Sequence, residues 1–129
     1  MVLYRVLRVA TPEQHRQPRA RHSGHSVALM ATIRAAQYGT KHSHAAGKIR
    51  AMRASPEIEL VGVFEPDPTA RAALSKNEAY AGLRLYATKE ELLNDETIVL
   101  VASEGSNDES LEQTRELVAA GKHVWYAGC

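Results

Sequence analysis

From Thr32 onward the chain alternates short apolar runs with stretches of helical periodicity, and this rhythm restricts the fold more than any single motif does. A short apolar run can be buried on both faces of a parallel sheet, and each parallel pair needs a crossover, usually a helix, between its strands. Residues 32–38 read as a first strand, although Arg34 and Gln37 make it more polar than a doubly buried strand should be. Residues 43–54 follow as a helix with Ala45, Ala46, Ile49 and Met52 on one face, closed by Ser55-Pro56. Residues 58–64 form a second strand, after which Asp67 as N-cap and Pro68 in the first turn open a short helix from Thr69 to about Lys76. A brief strand is expected over residues 83–87. Thr88 and Glu91 make a capping box ahead of Leu92 and Leu93, and residues 98–102 are a nearly pure apolar strand. Ser106 and Glu109 make a second capping box for a helix through about Ala120, with Leu111, Leu117 and Val118 facing the sheet and Gly121 ending it. Residues 122–126 are the last strand. Five strands interleaved with four helices give an α/β domain with a doubly wound parallel sheet, a fold that takes ligands at the carboxyl ends of its strands.

The whole chain has 129 residues, enough for one hydrophobic core, and its 16 basic residues nearly balance 15 acidic ones. No bulk charge directs it to nucleic acid or to a membrane. The charge is unevenly spread, however. Residues 1–30 hold Arg5, Arg8, Arg16, Arg19 and Arg21 against Glu13 alone, whereas residues 31–129 hold 11 basic and 14 acidic residues. Arg5 and Arg8 interrupt Val2, Leu3, Val6, Leu7 and Val9, so the segment lacks the continuous apolar stretch of a secretory signal. Nor does it show the amphipathic period of a transit peptide. Residues 1–30 therefore read as a basic N-terminal extension, either a mobile tail or a segment upstream of a start at Met30, with a nucleic-acid arm as the functional alternative. The single cysteine, Cys129, excludes a disulfide within the chain and fits the reducing cytoplasm.

The first strand-to-helix turn reads Gly39-Thr40-Lys41-His42-Ser43-His44, where a dinucleotide fingerprint places glycine at the first, third and sixth positions. Only the first is present. Gly39 can make the tight turn, and the helix that follows can offer backbone N–H groups to a pyrophosphate. Lys41, at the second glycine position, hinders close backbone approach but brings an attractive charge. Glu65 stands 26 residues after Gly39, at the end of the second strand, where an adenine ribose would lie. A carboxylate there accepts hydrogen bonds from ribose hydroxyls and repels a 2′-phosphate, which favours NAD over NADP. His42 and His44 would point different ways and His123 is distant, so no metal site is assigned. Cys129 has no histidine partner at nucleophilic spacing.

In order and spacing these segments resemble the Gfo/Idh/MocA oxidoreductases over about residues 32–126. The resemblance rests on Gly39-Thr40-x-His42-Ser43-His44-Ala45-Ala46-Gly47-Lys48, on Leu60-Val61-Gly62-Val63-Phe64-Glu65-Pro66-Asp67-Pro68, on Glu90-Glu91-Leu92-Leu93, and on Asn107-Asp108-Glu109 leading to Ala120-Gly121-Lys122-His123-Val124. It implies a Rossmann-like cofactor domain over residues 31–129 in which Gly39, Thr40, Lys41, His42 and His44 hold the pyrophosphate and Glu65 the adenosine ribose. Gly105, Ser106 and Asn107 would lie on the nicotinamide side. The family's last strand is usually followed by an acid-Lys-Pro motif, and a histidine often lies three residues after the loop asparagine. Here Ala127-Gly128-Cys129 and Ser110 stand in those places. No catalytic residue is assigned.

The family's C-terminal half, which supplies most of the substrate pocket, has no counterpart in this sequence. The expected function is thus an NAD-preferring nucleotide-binding domain that is not catalytically competent alone, partnered by a dinucleotide and by either a second copy or a separate substrate-domain chain. The competing expectation is an interaction or regulatory module that keeps the scaffold and has lost the cofactor. Trp125 and Tyr126, beside an open edge of the last strand, make self-association part of both.

Overall fold

The computed structural model describes residues 2–4 and 32–126. Strand β1 is Val2–Tyr4, β2 is Ile33–Tyr38, β3 is Ile58–Phe64, β4 is Arg84–Leu85, β5 is Leu100–Ser103 and β6 is His123–Tyr126. Helix α1 is Ala45–Ala54, α2 is Pro68–Ala73, α3 is Lys89–Leu93 and α4 is Asn107–Ala119. The strands lie in the order β1-β6-β5-β2-β3-β4. All neighbours among β2 to β6 are parallel, and β1 alone runs antiparallel, along β6. The parallel part starts in the middle at β2, moves outward through β3 to β4, and then crosses to the other side of β2 to lay down β5 and β6. That reversal puts a crevice at the carboxyl ends of β2 and β5, the topological switch point of a Rossmann-like sheet.

Alternation along β2 divides the core. Ala35 faces one layer with Ile49, Met52, Val63, Leu74, Tyr80 and Ala102, while Ala36 faces the other with Phe64, Tyr86, Leu92, Val101, Leu117 and Val124. Helix α1 therefore covers one face, and α3 and α4 cover the opposite one. The polar residues that made β2 an unusual strand are accounted for by position. Arg34 sits at the entry to the strand, where its guanidinium meets Glu59 (3.1 Å) and the Thr97 hydroxyl (3.1 Å). Gln37 is fully buried, and its side-chain amide donates to the Gly39 carbonyl (3.1 Å) and the Tyr80 hydroxyl (3.2 Å).

Several sequence expectations shift. The helix expected from Ser43 begins at Ala45, and the strand at 83–87 contracts to Arg84–Leu85. The apolar strand expected at 98–102 pairs over Leu100–Ser103. The helix expected from Thr69 to Lys76 is Pro68–Ala73 continued by a 3-10 turn at Leu74–Lys76. On α4, Leu117 is buried as expected, but Leu111 is 67% exposed and Val118 is exposed too; Ser110 and Gln113 take the inner positions. The surface beneath them is polar, since the Ser110 hydroxyl lies 3.3 Å from the Tyr126 hydroxyl and Gln113 packs on Gly105.

Strand β1 corrects the expectation of an open β6 edge. Val2 pairs with Tyr126, Leu3 with Trp125 and Tyr4 with Val124, so the edge is covered. Residues 5–31, and with them most of the basic extension and the candidate start at Met30, lie outside the described residues, as do residues 127–129.

One polar knot joins the α4 face to the sheet. The Tyr38 hydroxyl and the Lys89 ammonium both donate to Glu116, at 2.6 Å each. Burial tends to raise the Glu116 carboxyl, but the hydrogen bonds from Lys89 and Tyr38 outweigh it and hold the group below its ordinary value. A carboxyl depressed in the folded state adds stability above its unfolded pKa of about 4.3, and that stability is lost as pH falls through the folded value. Urea unfolding of Glu116→Gln against the wild type should therefore show its full deficit at pH 7 and a shrinking deficit below about pH 4. A deficit independent of pH would remove the ionised carboxylate from the account.

Candidate functional site

The site is built where two loops cross at the carboxyl ends of β2 and β5. Gly39 turns the chain with φ of +91°, and its N–H donates to the Phe64 carbonyl (2.7 Å). A Cβ on Gly39 would stand 2.6 Å from the Gly105 nitrogen, 2.8 Å from its Cα and 2.9 Å from the Glu104 carbonyl carbon. The two loops thus touch backbone to backbone. They are also stitched by hydrogen bonds from the Glu104 N–H to the Tyr38 carbonyl (2.8 Å) and from the His42 N–H to the Glu104 carbonyl (3.0 Å). Gly105 is closed on its other side, where a Cβ would fall 2.2 Å from the Gln113 Oε1.

Beyond the turn lies the N-terminus of helix α1, whose Ala45 N–H donates to the His42 carbonyl (3.0 Å). Its N-cap residue, His44, makes no side-chain capping bond, and no acid lies in its first turn. Its early N–H groups and dipole end suit an anion. The His44 N–H donates to His42 Nδ1 (3.1 Å), and the two imidazoles lie 5.0 Å apart, side by side at the helix start.

Glu65 lies at the end of β3 as expected, 2% exposed, with its carboxylate turned onto the loops. One oxygen accepts from the Thr40 N–H (2.7 Å) and hydroxyl (2.6 Å), and the other from the Asp67 N–H (2.9 Å). It therefore latches the Gly39 turn to the loop after β3. Lys41 bridges the crevice, with its ammonium 3.0 Å from Asp67 and 3.4 Å from Glu109. The hydrogen bond with Asp67 raises the Lys41 pKa and holds the Asp67 carboxyl below its usual value. On one side of Lys41 a cleft of about 290 Å³ is lined by His42, Ser43, Ser106 and Asn107. On the other side a cleft of about 300 Å³ runs past Thr40, Ala46, Ala70, Leu74, Asn77 and Tyr80. Ser106 is the N-cap of α4, and its N–H donates to the Glu109 carboxylate (3.1 Å). Gly39, Thr40, Lys41, His42, His44, Glu65, Gly105, Ser106 and Asn107 are all brought to this one end of the sheet.

Two residues at the site escaped sequence reasoning. Lys48 (2% exposed) and Glu104 (fully buried) form an ion pair beneath the loops, and the Lys48 ammonium also donates to the Trp125 carbonyl (3.3 Å). Burial lowers the Lys48 pKa, an effect opposed by Glu104. The signal was in the spacing, because Lys48 falls with Ala45, Ile49 and Met52 on the buried stripe of α1. A lysine within an apolar stripe calls for a buried partner. Glu104, directly after an apolar strand, is that partner.

The loop crossing leads to a direct test. Gly39→Ala combines a left-handed backbone with overlap against backbone that cannot rotate away, so it should cost at least about 2 kcal/mol of folding free energy by chemical denaturation. A loss below about 0.5 kcal/mol would mean that the loops are not in contact.

No protein-family profile and no curated protein matches this chain. Solved structures do. An NAD-binding protein of Listeria innocua is 25% identical over 75% of this chain and 26% of its own, with a TM-score of 0.63. A protein of Erwinia carotovora atroseptica named as an oxidoreductase is 27% identical over 74% of this chain and 28% of its own, with a TM-score of 0.62. A 3-ketoreductase of Actinomadura kijaniata, solved with NADP, is 21% identical, covers 74% of this chain and 28% of its own, and superposes with a TM-score of 0.60. The chain spans little more than a quarter of the length of these structures. What it shares with them is a Rossmann-like fold, and the matched structures are Gfo/Idh/MocA-type NAD(P)-binding oxidoreductases.

Proposed function

We propose that this chain is an NAD-preferring dinucleotide-binding domain of the Gfo/Idh/MocA type, working in the cytoplasm. The observation that carries the reading is the tight backbone crossing of Gly39 and Gly105 ahead of α1, a helix whose first turn holds no acid. In this reading the first-turn N–H groups and His44 receive the pyrophosphate, and the cleft past Thr40, Leu74 and Tyr80 receives the adenosine. Residues 105–107 flank the nicotinamide half. The bound group supplies a hydride donor or acceptor. The protein's part is to hold and orient it and to keep charge off the 2′-position. Glu65 favours NAD because a second anion beside its carboxylate is repelled. Among the described residues only the cofactor half of such a site is assembled, so hydride transfer requires a partner that positions a substrate. A second copy of this chain or a separate substrate-domain chain would fill that role.

A second reading has its own observation. Lys41 is tied to Asp67 and Glu109 across the crevice, and Glu65 spends both oxygens inside the protein. Such a crevice is braced without a ligand, as expected of an interaction or regulatory module that retains the scaffold alone.

Calorimetric titration with NADH and then NADPH separates the two. The first reading expects saturable NADH binding and weaker NADPH binding. In Glu65→Gln, which keeps the shape and removes the charge, the preference for NADH should fall about tenfold, roughly 1.4 kcal/mol. Wild-type protein that binds neither nucleotide would make the second reading the account of this chain.

A further inference from the structure

We propose that Lys48 and Glu104 are a positioning pair for the nicotinamide half of the dinucleotide, an inference that rests on the cofactor-binding reading above. Three elements meet at Glu104. Its N–H is held by the last residue of β2 (Tyr38, 2.8 Å), its carbonyl by the pyrophosphate turn (His42 N–H, 3.0 Å), and its carboxylate by Lys48 from α1. The residues that follow it, 105–107, form the loop that flanks the nicotinamide half. The Lys48 ammonium in turn reaches the Trp125 carbonyl (3.3 Å) and lies 4.9 Å from the centre of the Trp125 ring. A single side chain hung from the first turns of α1 therefore fixes the carboxyl ends of β5 and β6 relative to the anion-binding helix terminus.

Stability alone does not explain the pair. Removing two charges from water carries a heavy desolvation cost, and apolar residues of similar volume often serve as well or better. Glu104 is also incompletely satisfied: its Oε1 has no hydrogen-bond partner among the described residues and lies 3.7 Å from His42 Nδ1. An ion pair does give a defined length and direction that an apolar contact lacks. With Gly39 and Gly105 in van der Waals contact, a small displacement of Glu104 moves the pyrophosphate turn and the nicotinamide-side loop against each other. The adenosine end is latched separately, by Glu65.

The test compares Lys48→Met, which leaves Glu104 buried without its cation, with Lys48→Met/Glu104→Leu, which restores neutrality without the link. Melting temperature is measured together with calorimetric affinity for NADH and for ADP-ribose, which lacks the nicotinamide. The double variant should melt within a few degrees of the wild type and bind ADP-ribose within twofold of it, yet bind NADH at least tenfold more weakly. The single variant should melt lower, and if it does not fold, the double variant decides alone. Wild-type NADH affinity in the double variant would overturn the proposal. So would an equal loss for ADP-ribose and NADH, or a double variant that does not fold, since either makes the pair a general structural one. Wild-type protein that binds ADP-ribose as tightly as NADH would overturn this proposal but leave the adenosine site standing. Wild-type protein that binds neither would instead remove the cofactor-binding reading on which it rests.

Discussion

The contact between Gly39 and Gly105 is the constraint on which the carboxyl end of this sheet depends. Parallel pairing brings β2 and β5 side by side, so their loops leave the sheet at the same height and must pass each other. A Cβ at either glycine would meet atoms closer than 3 Å, and a positive φ at Gly39 adds a second reason for glycine there. Because the loops meet through backbone, the first turn of α1, the end of β3 and the start of α4 are drawn around one crevice. Glu65, Lys41 and Ser106 come into reach of one another's loops only because that crossing is tight.

Around this crossing the protein distributes charge in two layers. The outer layer is the exposed bridge of Lys41 with Asp67 and Glu109, which water screens and which can rearrange at small cost. The inner layer is Glu65 and the Lys48–Glu104 pair, buried and committed to fixed partners. Water cannot substitute for a partner in the inner layer, so its geometry sets the loops, while the outer layer sets what an incoming anion meets first. A pyrophosphate entering at α1 would compete with carboxylates only for Lys41. The helix N–H groups have no acidic side chain in the first turn to displace.

Much of this was legible in the sequence. Periodicity and capping residues located the strands and helices, because a buried parallel strand and an N-cap each leave a local chemical signature, as at residues 58–64 and at Thr88 with Glu91. The positions of Gly39 in the turn after β2 and of Glu65 at the end of β3 were legible too, since a tight turn demands the glycine and the acid directly follows an apolar strand. What local pattern could not supply was identity of face and of partner. Leu111 and Val118 look inward on hydropathy, but the surface under α4 is set by Gly105 and Tyr126, which lie elsewhere in the chain. Lys48 and Glu104 are 56 residues apart, and only the fold discloses that one answers the other. The pairing of β1 with β6 is likewise a contact between distant parts of the chain that no periodicity announces.

The central claim is that a dinucleotide lies across the N-terminus of α1 between the two glycine loops. Amide chemical shifts recorded during an NADH titration test it most directly. The account predicts saturable shifts at residues 39–46 and 105–107, with Ile33, Ile58 and Val99 at the opposite end of the strands unmoved. Shifts confined to that opposite end, or none at millimolar NADH, would contradict it.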